Sequence, residues 1–465
     1  MYRKIMEFLE AWKESKYRKP LILQGARQVG KTYSILEFGR THYENVAYFN
    51  FETNPRLNET FDENISPDYL IPILSHISGK TIIKEKTLIV FDEVQLCERV
   101  LTSLKYFCED APDYHVIVAG SLLGDAVSRT KFSFPVGKVD MKTLYPMDIE
   151  EFMLALNEQE LVEWIKESFK SDAPLPSALH DKAMLLYRQY LVVGGMPECV
   201  AQFVETKDYI LVRHTQDTIL ASYLNDMSKY NTLNEIKKTR LTYDNITVQL
   251  SKKNTRFQYK LIKKGGRASE FENAIEWLCL SGIVSQVYKV EQIKKPLENY
   301  RDIDAFKIYI SDLGLLCAKK ELSAEDILYM TDELNNFKGG MTENYVHVQL
   351  TINGYHTYCW ESDRGAEIDF IIQREGRLIP IEVKSADNTR AKSLKISMQH
   401  SVYKKTGVTQ ASCLRHTAHY NKIILCSSQI LRISSGHKLA WTSPTWALSS
   451  KSIHSLDWPI PPPIV

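Results

Sequence analysis

Short apolar runs of strand length recur in the first part of the chain, and each ends in polar or small residues. The runs are Lys19–Gln24, Val46–Phe51, Thr87–Glu93 and His115–Ser121. Residues Tyr33–Phe38, between the first two runs, have the amphipathic spacing of a helix. Because continuous apolar runs are typical of parallel strands buried on both faces, this alternation predicts an α/β fold with a parallel, doubly wound sheet.

Helical spacing dominates residues 143–230. Apolar residues share one face in each of two predicted helices, which hold Leu154, Leu161 and Ile165 in the first and Met184, Tyr187 and Leu191 in the second. The glycines of Gly194–Pro197 predict a sharp turn between two elements, in which they would adopt positive φ angles. We assign no chemistry to this turn.

The next segment is basic. From Lys237 to Arg267, ten lysines and arginines accompany one acid, Asp244. The amphipathic helix Glu270–Leu278 and the strand-like Gly282–Tyr288 follow. Short helices and a β-ribbon predict a winged helix-turn-helix module whose basic residues contact nucleic-acid phosphates. A role in packing between domains is the alternative explanation of the same charges.

Two strand-like segments, Ala366–Ile372 and Ile379–Ser385, flank a hairpin-like connection at Gln373–Arg377. Strand alternation groups charged residues on one face of each strand, namely Glu367 and Asp369 on the first and Glu382 and Lys384 on the second. The C-terminal third therefore offers a second set of residues that could carry chemistry.

Composition changes this picture little. A length of 465 residues favours roughly three domains, and 44% apolar with 25% charged residues is typical of a soluble globular protein. Because 58 basic side chains balance 57 acidic ones, the bulk charge selects no partner. We expect a cytoplasmic protein without a membrane segment, since no signal-peptide core or bilayer-length apolar run occurs and the eight cysteines form no C-x-x-C pair.

The octet Gly25–Thr32 matches the pattern G-x-x-x-x-G-K-[ST] and lies between a predicted strand and a predicted helix. Its backbone N–H groups and the helix N-terminus would point to one place, which suits a phosphate chain. Lys31 would reach the β- and γ-phosphates, and the Thr32 hydroxyl would bind Mg²⁺. The predicted ligands are ATP and Mg²⁺, and the predicted nucleotide-binding residues are Gly25, Gln28, Val29, Gly30, Lys31 and Thr32.

Acids follow the third apolar run. Asp92 would orient Mg²⁺, and Glu93 would polarise the water that attacks the γ-phosphate. A buried strand that merely ends in solvated acids is the alternative. Ser121, at the end of the next run, is a candidate to sense the γ-phosphate or position the water, and a tight Gly-Ser turn is the competing explanation.

Several segments together resemble AAA-type ATPases that carry a C-terminal domain of unassigned role, related to the PD-(D/E)xK nucleases. They are Gly25–Thr32, Thr87–Gln95, Val116–Leu123, Leu144–Phe152, Tyr190–Glu198, Asp226–Tyr230, Phe306–Leu316 and Thr342–Tyr345. The resemblance reaches about residue 395. It implies a helical lid near the nucleotide, a possible homo-oligomer, and an arginine finger that the sequence leaves open among Arg27, Arg99 and Arg129.

An acid followed by E-x-K on a paired strand is the pattern of such nucleases. Asp369 and Glu382 would hold Mg²⁺ against a phosphodiester, and Lys384 would stabilise or help generate the attacking hydroxide. The resemblance implies that Glu343, which opens the predicted helix Glu343–Leu350, completes the metal site. Two amphipathic strands with charged outer faces are the alternative, and members of a fold can lose catalysis.

These patterns predict a division of the chain along its length. The parts are a P-loop AAA-type ATPase core at 1–142, a helical lid at 143–230, a winged-helix-like module at 231–335, a PD-(D/E)xK-like α/β domain at 336–395 and an atypical tail at 396–465. From residue 388 to the end there are ten lysines or arginines and one acid, Asp457. Because isolated tryptophans and an apolar run interrupt this basic tail, we expect it to be out of frame or disordered.

The predicted function is Mg²⁺-dependent ATP binding and hydrolysis, coupled to a nuclease-like domain that acts on DNA or RNA. The alternative is a nucleotide-dependent switch or interaction module, in which the nuclease fold is inactive and recognises a partner.

Overall fold

A computed structural model describes residues 1–120, 135–171, 173–229, 232–252, 256–362, 365–374, 376–384 and 412–415. For Lys229, Lys384 and 412–415 it describes the main chain only. Ser121 and Arg129 lie outside the described residues, and so does nearly all of the predicted tail.

The N-terminal part contains a five-stranded sheet. Its strands are β1 (Leu21–Gln24), β2 (Asn45–Asn50), β3 (Thr87–Asp92), β4 (His115–Gly120) and β5 (Asp140–Thr143). They are parallel and lie in the order β2-β3-β4-β1-β5. The predicted parallel sheet is thus confirmed, and β4 pairs with β3.

Helices cover both faces of this sheet. They are α1 (Ile5–Glu14), α2 (Lys31–His42), α3 (Leu57–Glu63), α4 (Pro67–Ser78) and α5 (Glu98–Asp110). Leu21 and Leu23 point into one core, and Ile22 points into the core on the opposite face. This alternation follows from the period of two along a strand, and burial on both faces explains the continuous apolar runs.

The region predicted to be helical is helical, but the prediction that Leu154 shares a helix with Leu161 and Ile165 is wrong, because one helix ends at Ala155 and the next begins at Gln159. It contains α6 (Ile149–Ala155), α7 (Gln159–Lys170), α8 (Ser177–Val193), α9 (Pro197–Thr206) and α10 (Tyr209–Lys229). An N-terminal capping box at Asp148 and Glu151 starts α6. Leu161, Ile165 and Leu191 belong to the same buried hydrophobic core as Leu21, so these helices and the first sheet share one core.

Three helices and a hairpin follow. They are α11 (Leu233–Ser251), α12 (Tyr259–Ile262), α13 (Ala268–Leu280), β6 (Val284–Val290) and β7 (Arg301–Ile310). The antiparallel register of Val284 with Ile310 defines the hairpin. Strand β6 also pairs with a strand of the C-terminal part, so the predicted boundary at 335 crosses a continuous sheet.

The C-terminal part completes this second sheet. Its elements are α14 (Leu313–Lys319), α15 (Ala324–Tyr329), α16 (Lys338–Ile352), β8 (Tyr358–Glu361), β9 (Glu367–Arg374), β10 (Arg377–Lys384) and β11 (Ser412–Arg415). The strand order is β11-β10-β9-β8-β6-β7. The predicted hairpin is present, because β9 and β10 pair with Arg374 opposite Arg377. The prediction that Glu343 opens its helix is wrong, since α16 begins at Lys338 and Glu343 lies in its second turn.

None of the described helices combines the length and the apolar character that crossing a bilayer requires. The thiols of the cysteines at 97, 108, 199, 279, 317 and 359 are free.

Candidate functional site

The loop at Gly25–Thr32 connects β1 to α2. Gly25 has φ +149°, and a Cβ on it would lie 2.2 Å from the Leu144 carbonyl oxygen, so no side chain fits there. Gly30, which immediately precedes α2, has φ +89°. Gln28 adopts φ +65° without being a glycine, and such strain is typical of loops that bind ligands.

Lys31 folds back over this loop. Its Nζ donates to the carbonyl oxygens of Gly25 at 3.0 Å and Ala26 at 2.8 Å, and the residue is 8% exposed. Burial lowers the pKa of Lys31 to about 8, although Glu93 and Asp92 favour its charged form. Neither carbonyl carries a full charge, so a phosphate would supply the counter-charge that the ammonium lacks.

Oxygen ligands for a divalent cation meet at the ends of β3 and α2. The Thr32 Oγ1 donates to Asp92 Oδ2 at 2.7 Å, and Tyr48 OH donates to the same oxygen at 2.9 Å. Asp92 is 3% exposed. Hydroxyl and carboxylate oxygens are the ligands that Mg²⁺ prefers, so Thr32 and Asp92 fit the predicted metal site.

Glu93 directly follows β3 with φ +55°. A left-handed conformation is uncommon for glutamate, and Glu85 and Glu321 of this chain adopt it as well. The Gln95 amide donates to the Glu93 carboxylate, which fixes its direction. Glu93 thus lies at the same sheet edge as Asp92, Thr32 and Lys31, in agreement with the predicted grouping.

The second half of the loop is held by the N-terminal segment. Arg3 Nη1 donates to the Val29 carbonyl oxygen at 3.0 Å, and Arg3 Nε lies 3.1 Å from Glu151 Oε1. A Cβ on Gly30 would lie 3.5 Å from Pro197 of α9. This part of the loop therefore contacts both the segment that precedes the first sheet and a helix of the region that follows it.

Helix α10 covers the first half of the loop. Arg27 forms an ion pair with Asp226, and Tyr223 OH donates to the Arg27 carbonyl oxygen at 3.2 Å. Ser222 Oγ lies 3.4 Å from the Gln28 side chain. A second contact comes from the turn before β6, where a Cβ on Gly282 would lie 3.0 Å from the main-chain nitrogen of Ala26.

A cavity of about 290 Å³ lies between this loop and the C-terminal half. Its lining includes Gly25, Thr143, Gly282, Ser285 and His347. His347 accepts or donates a hydrogen bond with Ser285 at 2.5 Å, and burial lowers the pKa of His347 to about 3. The cavity therefore has neutral walls on the side of the C-terminal half.

Both described candidates for the arginine finger have partners within the chain. Arg27 is engaged by Asp226 within the same chain, and Arg99 Nε donates to the Phe61 carbonyl oxygen at 2.7 Å. Arg129 lies outside the described residues.

The predicted nuclease-like residues form a second cluster around a lysine that we did not predict. Lys307 Nζ lies 2.5 Å from Glu367 Oε1, 3.4 Å from Glu343 Oε2 and 3.9 Å from Asp369 Oδ1. Burial alone would lower the pKa of Lys307, but attraction by Glu343, Asp369 and Glu367 raises this pKa well above its ordinary value. Burial, followed by repulsion from Glu343, raises the pKa of Asp369 to about 8.

Glu382 and Lys384 lie on the neighbouring strand. Phe370 pairs with Ile381, so the register carried one residue further sets Asp369 opposite Glu382. Glu382 is 3% exposed, and the Val383 amide donates to Asp369 Oδ2 at 2.6 Å. Lys384 ends β10, and its side chain lies outside the described atoms.

In the described part of the chain, no three His, Cys, Asp or Glu side chains are arranged to hold a metal ion. The predicted ligand set of Glu343, Asp369 and Glu382 stays a prediction. The Lys307 ammonium lies near two of these acids, at 3.4 Å from Glu343 Oε2 and 3.9 Å from Asp369 Oδ1.

Four residues that form contacts in these two sites were not predicted from the sequence. Tyr48 lies in a predicted strand, where a single polar side chain in an apolar run is a usable signal. Lys307 lies in a segment that carried the family resemblance and was not predicted to be a strand. Asp226 belongs to a segment that carried the family resemblance, but nothing in the sequence pairs it with Arg27, 199 residues away. Gly282 appeared only as the first residue of a predicted strand.

Family models match three parts of the chain. Residues 17–153 match a model described as an AAA domain. Residues 184–326 and 338–428 match two models described as domains of unknown function, DUF8612 and DUF4143. The first match supports an AAA-type ATPase domain, as the resemblance implied. The third match extends past residue 395, so the expected end of the resemblance was too early.

No curated protein matches the chain in sequence. Among solved structures, the Aeropyrum pernix ORC2 protein in ADPNP–ADP complexes is 12% identical, over 73% of this chain and 95% of that chain, with a TM-score of 0.34. The Thermotoga maritima RuvB Holliday junction branch migration motor is 14% identical, over 61% and 87%, with a TM-score of 0.27. At these TM-scores the likenesses are too remote to carry an argument.

Proposed function

We propose that this chain binds ATP in the Gly25–Thr32 loop and hydrolyses it with Mg²⁺. The observation that carries the proposal is the grouping of Lys31, Thr32, Asp92 and Glu93 at one sheet edge, with Thr32 Oγ1 2.7 Å from Asp92 Oδ2. The test is release of inorganic phosphate from ATP, measured with Mg²⁺ and with EDTA. Equal release in both conditions, or none in either, contradicts the proposal.

Each residue has a separate task in this reaction. Lys31 would leave the loop carbonyls and donate to the β- and γ-phosphates. Thr32 and Asp92 would hold Mg²⁺, which neutralises charge on the phosphates. Glu93, fixed by Gln95, would accept a proton from the attacking water. Ser121 is retained as the candidate sensor, since it follows β4 beside β3.

We further propose that the loop reports its nucleotide state to the C-terminal half through Arg27. The guanidinium pairs with Asp226, and a γ-phosphate would compete for the same cation. Contacts from Tyr223 and Gly282 lie on the same stretch of loop. A change in the loop would therefore move α10 and the turn before β6 together.

Replacing Asp226 with asparagine is expected to raise the affinity for ATP about threefold to tenfold. The substitution frees Arg27 to attract phosphate, and a partly exposed ion pair contributes about 1 kcal/mol. Calorimetric titration of ATP into both proteins measures the change. The matched control is Asp217→Asn, an exposed aspartate on the same helix. Equal ATP affinities for the two variants would remove Arg27 from the proposed relay.

The partner that we propose is DNA or RNA, bound by a winged-helix-like module. Helices α12 and α13 are joined by a turn that exposes Lys263, Lys264 and Arg267. The exposed face of α13 itself carries Glu272 and Glu276, which would repel phosphates inside a groove. The charges therefore favour contact with the phosphate backbone and disfavour reading of base edges.

The double variant Lys264→Glu/Arg267→Glu is expected to weaken binding to nucleic acids of any sequence. Because two phosphate contacts are lost, the salt dependence of the logarithm of affinity becomes shallower by about two. Fluorescence anisotropy with labelled oligonucleotides at several salt concentrations measures both effects. Lys170→Glu, an exposed change on α7, serves as the control. An unchanged slope in the double variant contradicts the assigned surface.

A second candidate function is a nucleotide-dependent switch whose PD-(D/E)xK-like domain does not cleave. The observation that favours it is the Lys307 ammonium among Glu343, Glu367 and Asp369. In this version, ATP turnover changes how the C-terminal half holds a partner. Both versions require the same nucleotide site and differ only in the chemistry of the second cluster.

A further inference from the structure

The second cluster has its own resident cation. Lys307 projects from β7, the edge strand of the second sheet, and its side chain is 9% exposed. The acids reach it from two other elements, with Glu343 on α16 and both Glu367 and Asp369 on β9. Three contacts between 2.5 and 3.9 Å surround one ammonium.

The Lys307 ammonium offsets part of the negative charge of the cluster. A buried ammonium is stable when acids pair with it. Glu367 Oε1 at 2.5 Å and Glu343 Oε2 at 3.4 Å lie within hydrogen-bond distance of Lys307 Nζ, whereas Asp369 Oδ1 at 3.9 Å interacts with it through charge alone. Tyr309 OH donates to Glu343 Oε2 at 3.1 Å, and the Val383 amide donates to Asp369 Oδ2 at 2.6 Å. Two of the three acids that were predicted to bind metal, Glu343 and Asp369, thus already have fixed donors within the fold.

A divalent cation does not fit the same space. Mg²⁺ requires about six oxygen ligands at ~2.0–2.1 Å, whereas the ammonium lies between the oxygens that would have to converge. Two cations within about 4 Å of one another in a buried cluster repel strongly.

Lys307 also differs from the lysine that metal-dependent cleavage uses. That role was assigned by pattern to Lys384, which follows Glu382 on β10. Lys307 comes from β7, and strands β8 and β6 lie between β7 and β9 in the sheet. A lysine whose proton is retained by three acids cannot accept one from a water molecule.

We propose that the Lys307 ammonium replaces the divalent cation of the Glu343, Glu367 and Asp369 cluster. The domain then ties α16 to the second sheet through a permanent ion network and does not cleave phosphodiesters by a metal-dependent route. The proposal does not depend on the ATP site, and its test contains no nucleotide.

The test is titration of the full chain with Mn²⁺, followed by electron paramagnetic resonance of the free ion. We expect the wild type to have no Mn²⁺ site that depends on Asp369. Any Mn²⁺ site that is lost in Asp92→Asn is subtracted first. Lys307→Met is expected to gain one Mn²⁺ site that disappears when Asp369→Asn is added. Lys289→Met is the matched control, because Lys289 pairs with Glu361 at the rim of the same sheet.

Several outcomes overturn the proposal. One is a wild-type Mn²⁺ site that requires Asp369, and another is a folded Lys307→Met protein that binds no Mn²⁺. A third is nicking of supercoiled DNA by the wild type that is lost in Asp369→Asn. If Lys307→Met does not fold, the wild-type titration against Asp369→Asn decides alone, and no Asp369-dependent site supports the proposal.

Discussion

Replacing Glu93 with glutamine is expected to lower kcat for ATP hydrolysis by about 10²–10³-fold while leaving ATP affinity within about threefold. General bases contribute rate factors of this size, and the amide cannot accept the proton of the attacking water. Lys31, Thr32 and Asp92 remain in place, so binding is preserved. Steady-state phosphate release and calorimetric titration on the same preparations measure the two quantities.

Glu52→Gln is the matched control for this prediction. Glu52 is exposed and follows β2, whose last residue Asn50 pairs with Asp92. Its substitution is expected to leave both kcat and affinity unchanged. Normal hydrolysis by Glu93→Gln would show that another group activates the water.

Replacing Lys31 with alanine is expected to weaken ATP binding on the order of 100-fold, which corresponds to ~2.7 kcal/mol. The variant loses charge-assisted bonds to phosphate, each worth about 1.5–3 kcal/mol. The burial that lowers the pKa of Lys31 to about 8 makes this cation especially responsive to a phosphate partner. Competition against a fluorescent ATP analogue measures the loss.

Lys142→Ala provides the control, since Lys142 is an exposed lysine on β5 of the same sheet. Its ATP affinity is expected to match that of the wild type. Thermal unfolding of Lys31→Ala must show a folded protein. Unchanged affinity in folded Lys31→Ala would locate the nucleotide elsewhere in the chain.

Much of the nucleotide site was predictable because its residues are close in sequence or lie at strand ends. The loop Gly25–Thr32 is contiguous, and Asp92 and Glu93 follow an apolar run that could only be a buried strand. The carboxyl ends of parallel strands meet at one edge. The contact of Thr32 with Asp92 at 2.7 Å follows from that rule.

The contacts between distant segments were not predictable. Arg27 and Asp226 are 199 positions apart, and hydrophobic periodicity does not specify which charged residues meet across elements. The same limit hid Lys307, because its strand is separated from β9 by β6 and β8. Strand alternation correctly grouped Glu367 with Asp369, but could not reveal the cation between the strands.

The turn at Gly194–Gly195 illustrates a partly correct prediction. Gly194 has φ +75°, as expected of a sharp turn. Gly195 serves a different purpose, because a Cβ on it would lie 2.0 Å from the Met147 carbonyl oxygen. Its amide donates to Asp312 at 2.6 Å, and burial raises the pKa of Asp312 to about 6 even though main-chain N–H groups oppose the shift.

The central claim is that this chain is a Mg²⁺-dependent ATPase that responds to nucleic acid. Phosphate release from ATP by the wild type, measured with Mg²⁺ in the presence and absence of DNA or RNA, tests it most directly. We predict turnover that requires Mg²⁺ and increases when nucleic acid is added. Absence of phosphate release in every condition, from protein that binds ATP, would contradict the claim.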